Sequence, residues 1–253
     1  MVREAAAAAF LLAVSACASP SPEVTVSVYQ TRSDMPLDKI EIQVHNVTSE
    51  PVTVERAQLR SDRFVTETSW NEPVEIPAGA AVDLKVQMPA ASCLPDPRDQ
   101  VVVSVRTDDG TQDLTLVPED PLGQLDKYSA ARCFERDVAS TATLNVEGLR
   151  GDRLQVVVDP GQARIGAMGT TILFRPRNPG ALRAQAGGEA GLRQVVLRPN
   201  RCDAHALAED KQGTYFPVSV TLPDGRSGDY TMTVDQQTRV GLYRLFAKQC
   251  GLS

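Results

Sequence analysis

Two stretches of this chain carry the same ordered set of features, and that duplication limits the architecture more than any other property of the sequence. The first set runs VDLKVQMPAASC (82–93), VVVSVRTDDG (101–110), TQDLTLV (111–117) and LGQLDKYSAARC (122–133). The second runs LRQVVLRPNRC (192–202), FPVSVTLPDG (216–225), DYTMTV (229–234) and VGLYRLFAKQC (240–250). Each reads as a strand ending at a cysteine, a polar loop, a strand, an Asp-Gly turn, a return strand and an amphipathic stretch ending at a second cysteine. Asp-Gly between alternating apolar runs predicts a tight hairpin, because both residues tolerate the positive φ that such turns need. A fixed order repeated along a chain is the mark of a duplicated structural unit.

The rest of the chain has the same texture. Val24, Val26 and Val28 alternate with polar residues, as do Ile40, Ile42 and Val44. Period two is the pattern of a strand with one face on a core and the other in water. Turn-forming residues at Asn46–Pro51 precede Val52 and Val54, which resume the alternation. The expected fold class is mainly β: two tandem immunoglobulin-like antiparallel β-sandwich domains, each with a short closing C-terminal helix and one disulfide. Leu122, Leu125 and Tyr128 give the first helix its apolar stripe, and Leu242, Leu245 and Phe246 the second. The expected domains are 24–135 and 136–253, with the boundary in Glu135–Ser140 where the first helix is expected to end. Seven glycines between 161 and 191 make the early strands of the second domain the least regular.

The chain has five cysteines. Setting Cys17 aside leaves Cys93, Cys133, Cys202 and Cys250, which allow three connectivities. The repeat selects Cys93–Cys133 and Cys202–Cys250, because that choice puts the same bond in both units. Neither a Cys-x-x-Cys nor any closely spaced ligand pair is present, so no metal site is expected from these cysteines.

The N-terminus reads MVREAAAAAFLLAVSAC. An apolar core over Ala5–Ala13 has the length of a signal-peptide core and is too short to span a bilayer. Val14-Ser15-Ala16-Cys17 resembles the lipobox of bacterial lipoproteins. That resemblance is confined to residues 1–17. It implies that residues 1–16 are a signal peptide and that Cys17 becomes a lipidated mature N-terminus. Residues 17–23 are then a lipidated tether on the outer face of the bacterial cytoplasmic membrane. The other reading of these residues is a plain secretory signal cut near Ala16 or Ala18. At about 3.1 Å per residue an extended, proline-spaced tether reaches roughly 20 Å, keeping the folded part close to the membrane. Acyl chains contribute about 0.8 kcal/mol per buried methylene, so the membrane is the expected first partner.

Chemistry is harder to find. His45 falls on the polar face of its strand, and His205 in a loop after Cys202. No nucleophile elbow, zincin helix or phosphate-cradling loop occurs, so no catalytic residue and no cofactor is assigned. Asp96/Asp99, Asp108/Asp109/Asp113 and Glu119/Asp120 read as turn-forming carboxylates, since their spacing matches no calcium loop. Trp70 sits beside Phe64 and Pro73 as either a binding anchor or a core plug. A net charge of −6 with no basic block argues against nucleic acid. The expected function is that of a non-catalytic binding or scaffold module at the cell envelope, its ligand unspecified. The alternative is a cell-surface hydrolase or ligand carrier with its site between the two domains.

Overall fold

A computed structural model of the chain describes residues 24–107, 110–203, 206 and 213–252. The signal segment, Cys17, the tether, Asp108–Asp109 and His205 lie outside the described residues.

The alternating runs pair into antiparallel sheets. In the first half, β1 (Val24–Tyr29), β2 (Lys39–Asn46) and β6 (Ala81–Gln87) form one sheet in the order β1–β2–β6. The second sheet is built from β3 (Val52–Ser61), β4 (Thr68–Trp70), β5 (Val74–Ile76), β7 (Asp99–Thr107) and β8 (Gly110–Leu116). Its order is β4–β3–β7–β8, with β5 also on β3. The chain after β8 returns to the first sheet, where Glu119 N–H donates to Val26 O and Val28 N–H to Glu119 O, both at 2.9 Å. Inward residues such as Ile42, Leu84, Val54 and Val103 form one buried cluster between the sheets.

The second half repeats the arrangement. Here β9 (Thr143–Arg150), β10 (Arg153–Asp159), β12 (Phe174–Pro176) and β13 (Gly191–Pro199) run β12–β13–β10–β9. Facing them, β11 (Arg164–Met168), β14 (Phe216–Thr221) and β15 (Ser227–Met232) run β11–β14–β15. Their inner faces form a second buried cluster in which Phe174 meets Phe216 and Phe246 with ring centroids 6.4 and 6.0 Å apart. β6, β7 and β8 hold the places in the first half that β13, β14 and β15 hold in the second. The Asp224-Gly225 turn closes as expected, with Gly225 at φ 87.

The helices depart from the symmetric expectation. Among the described residues a closing helix is present only at the C-terminus: α2 (Gln236–Cys250), capped by Asp235, whose side chain accepts from Thr238 N–H. The helix after β8, α1 (Gln124–Thr141), does not stop near Cys133 and does not close the first half. It passes through residues 135–140, where the boundary was expected, and leads directly into β9. The physical reason is that no glycine or proline interrupts 124–141, so nothing ends the helix before β9 takes up the chain. Its first turn is held by Asp120, whose carboxylate accepts from Gln124 N–H at 2.7 Å and Leu125 N–H at 2.9 Å. Leu125 and Tyr128 belong to the first buried cluster and Val138 to the second, so one helix is seated in both. Leu122, assigned by its spacing to the apolar stripe, precedes the helix and is exposed.

Cys93 is bonded to Cys133 and Cys202 to Cys250, with Cα–Cα distances of 5.7 and 5.2 Å. The first bond fastens the β6–β7 connection to the middle of α1, and the second fastens the β13–β14 connection to the end of α2. No helix among the described residues is long and apolar enough to cross a membrane.

Candidate functional site

Because α1 lies between the halves, the face it shows to both of them lines a cleft of about 740 Å³. The first half contributes Met35 and Asp38 from the turn before β2. The helix contributes Arg132, Glu135 and Arg136. The second half contributes the β11–β12 loop at Thr170–Ile172, together with Tyr215, Tyr230 and Thr231. A volume of this size is in the range of small-molecule sites, and such sites favour the crevices between units.

Arg132 organises the polar side of the cleft. It meets Glu135, one helical turn on, at 2.7 Å, and Asp38 of the first half at 3.1 Å, and its guanidinium stacks over the Tyr128 ring at 5.3 Å. The approach to Asp38 is that of an ion pair rather than an aligned hydrogen bond. Asp38 Oδ1 is buried with no hydrogen-bond donor, and Arg132 Nε–H with no acceptor, among the described residues. Asp38 is itself held in the left-handed region at φ 52, where aspartate is one of the few tolerated residues. Burial pushes the Glu135 carboxyl above its usual range despite Arg132, with Thr231 as its hydrogen-bonding neighbour in the second half. Burial, and then the Glu135 charge, raise Tyr230.

The Glu135 shift has a testable sign. A carboxyl whose pKa is raised by folding adds stability below its ordinary value of about 4.3 and loses it as pH rises through the folded value. Wild type is therefore expected to lose stability relative to Glu135→Gln between pH 4 and pH 7. Urea midpoints at pH 4, 5.5 and 7 read the effect. A wild-type advantage that grows with pH means that the Arg132 attraction outweighs burial.

Two further ionic groups fix the helix and its surroundings. On the far side of α1, Arg63 pairs with Asp99 at 3.0 Å and with Asp126, and Arg226 of the second half pairs with Asp137 at 2.8 Å. Hydrogen bonding to Arg226 holds Asp137 below the usual carboxylate range. Ahead of the cleft, the turn containing Met35 and Asp38 is anchored by a buried carboxylate pair. Lys85 Nζ lies 2.7 Å from Asp34 Oδ1 and 3.0 Å from Glu41 Oε1, and the Thr31 hydroxyl also donates to Asp34. The alternation in β2 assigns Glu41 to the water-facing side. It is buried instead, because Lys85 reaches over from β6 to neutralise it. Burial opposes ionisation of Asp34, but Lys85 and Thr31 outweigh it and lower its pKa, whereas in Glu41 burial prevails and the pKa rises.

Lys85→Met is expected to destabilise the fold at pH 7, because it leaves two buried carboxylates without their cation. The loss is smaller than for a fully buried pair, since 42% of the Lys85 side chain is exposed and partly screened. Without the cation both folded carboxyl pKa values rise, so the deficit is expected to shrink on lowering pH toward 4. Denaturant curves at both values check it.

Other candidates have structural places. His45 is exposed, with Nε2 3.2 Å from Gly79 O. Trp70 packs against the first cluster and donates Nε1–H to Glu72 O at 2.7 Å, which is the plug. Asp99 and Asp113 bind Ser61 and Ser104 hydroxyls at 2.6 and 2.5 Å, and Asp120 caps α1. No group of three His, Cys, Asp or Glu side chains suited to a metal ion occurs among the described residues. Asn46, read as a turn residue, is fully buried. Its amide donates to Glu50 O and Ile76 O, and its carbonyl accepts from Thr48 N–H. Sequence reasoning missed Asp38, Arg132, Glu135 and Tyr230 altogether. They lie in three separate stretches with no shared motif, and the single local signal was the charged pair flanking Cys133.

No protein-family model matches this chain, and no curated protein matches it. Solved structures that resemble it do so remotely. Red sea bream transglutaminase is 11% identical with a TM-score of 0.24; the match covers 86% of this chain, which spans about a third (32%) of that enzyme. The YadV chaperone is 10% identical, with a TM-score of 0.24, over 83% of this chain and 100% of its own. The Pseudomonas aeruginosa CupB2 chaperone is 9% identical, with a TM-score of 0.23, over 78% of this chain and 93% of its own. Likeness at this level assigns no function.

Proposed function

We propose that this chain is a non-catalytic ligand-binding module held at the outer face of the cell envelope by a lipidated Cys17, and that its ligand enters the cleft between the halves. The single observation that carries the binding part is the convergence of Asp38, Arg132, Glu135, Tyr230 and Thr231, from both halves and the helix between them, on one cavity. The two disulfides suit an oxidising compartment and so support the extracytoplasmic reading. The strand orders β12–β13–β10–β9 and β11–β14–β15 correspond to the D-E-B-A and C-F-G orders of a constant-type immunoglobulin sandwich, which supports two tandem units of that kind. Binding is favoured over hydrolysis because Arg132 contacts both carboxylates of the cleft, Asp38 and Glu135.

Two measurements test this reading. Metabolic labelling with palmitate should mark the wild-type protein and not Cys17→Ala; equal labelling of both overturns the anchor. A photo-crosslinking residue at Ile172, on the exposed wall of the cleft, should capture an envelope component in intact cells. Capture of nothing overturns the binding site.

A further inference from the structure

We infer that the cleft takes a neutral, hydroxyl-rich ring: a saccharide unit of the cell envelope. This rests on the binding reading above and adds the chemistry of the ligand.

Charge is the first ground. The cleft is lined by two carboxylates, Asp38 and Glu135, and two guanidiniums, Arg132 and Arg136. All four are already engaged, since Arg132 contacts both carboxylates and Arg136 lies 3.0 Å from Asp137. A charged ligand would have to displace one of these contacts to gain its own, leaving a half-buried partner uncompensated. A neutral ligand makes no such demand.

The second ground is hydrogen-bonding capacity that the ion pairs leave unused. Arg132 Nε–H has no acceptor among the described residues, and Asp38 Oδ1, although 3.1 Å from Arg132, accepts no aligned hydrogen bond there; both residues line the cleft. A hydroxyl is donor and acceptor at one atom. One or two ring hydroxyls therefore satisfy both without adding charge. A purely apolar ligand would leave each as it is, without a hydrogen bond.

Shape is the third. Tyr215 and Tyr230 are half-buried, and with Pro217 and Ile172 they give the cleft apolar walls. The C–H faces of a sugar ring pack on such walls while its hydroxyls point toward Arg132, Asp38 and the Thr231 hydroxyl. A tyrosine with an apolar face and a polar tip suits that division.

The test uses the full chain in detergent micelles, with triacetylchitotriose and maltotriose as neutral probes, trigalacturonate as the anionic probe and deacetylated chitotriose as the cationic one. Calorimetry and saturation-transfer NMR should show a neutral probe binding at least tenfold more tightly than either charged probe. Arg132→Lys keeps the positive charge but removes Nε–H, and Ile172→Glu places a carboxylate on an exposed wall. Each should weaken neutral-probe binding at least tenfold, Ile172→Glu with the unfolding midpoint unchanged. Should Arg132→Lys shift that midpoint, Ile172→Glu carries the comparison alone. The inference is overturned if neither neutral probe binds, if a charged probe binds equally well, or if Ile172→Glu leaves binding intact. Crosslinking from residue 172 separates the two levels. Capture of a protein component sinks the saccharide and keeps the cleft as a binding site, whereas capture of nothing removes both.

Discussion

Replacing Cys93 and Cys133 together by serine is expected to lower the unfolding free energy by about 4 kcal/mol, the value that loop-closure entropy assigns to a 40-residue separation. The same model gives a similar figure for Cys202–Cys250 across 48 residues. The two losses should nevertheless differ in what they do to function. The second bond ties the end of α2 to a loop of its own half. The first ties the β6–β7 connection to α1, next to Arg132 and two residues before Glu135. Without it the helix keeps Leu125 and Tyr128 in the core and the Arg63–Asp126 pair on its surface, but it gains freedom on the first-half side of the cleft. The Cys93→Ser/Cys133→Ser variant should therefore lose ligand capture at temperatures where it is still folded. Cys202→Ser/Cys250→Ser should lose stability alone. Denaturant unfolding alongside crosslinking from residue 172 measures both. Equal loss of capture in the two variants would show that α1 is not what shapes the cleft.

The contrast between these bonds also marks how far the sequence is legible. The period-two runs around Val26, Ile42, Val103 and Val218 became strands because alternation is a local property that burial of one face enforces. The disulfide pairing was legible because two units had to satisfy the same geometry at corresponding cysteines. The length of α1 was not legible from the repeat, since the symmetry argument ends the helix at Cys133 while the residues beyond it, lacking glycine and proline, simply continue. Glu41 was misassigned for a related reason. Alternation places side chains by face, whereas a lysine from the neighbouring strand makes a buried carboxylate tolerable. The cleft depends entirely on such non-local meetings. Asp38 arrives by a left-handed turn, Glu135 by the extension of α1, and Tyr230 by a strand nearly a hundred residues later.

The seat of α1 on the second half yields the other large effect. Gly161 follows β10 at φ +47, and a Cβ built there would lie 2.0 Å from the carbonyl oxygen of Thr141, the last residue of the helix. Its neighbours leave little room to adjust. Gly161 N–H donates to Asp159 Oδ1 at 3.0 Å, and its carbonyl accepts from Gly187 N–H at 2.6 Å. Gly161→Ala therefore meets two costs together, a left-handed backbone that a side chain disfavours and a contact with backbone that no rotamer change relieves. The expected loss is about 3 kcal/mol, from summing typical values for strain and overpacking. Gly187→Ala is the control, since Gly187 also has positive φ, +70, but nothing within 4 Å of its Cβ position. It should cost about 1 kcal/mol, the backbone part alone. If the two variants unfold at the same denaturant concentration, the helix end is not tightly seated. If Gly161→Ala is the weaker by the expected margin, the displaced end of α1 should also loosen Glu135 from Thr231, and neutral-saccharide binding should fall in Gly161→Ala while surviving in Gly187→Ala.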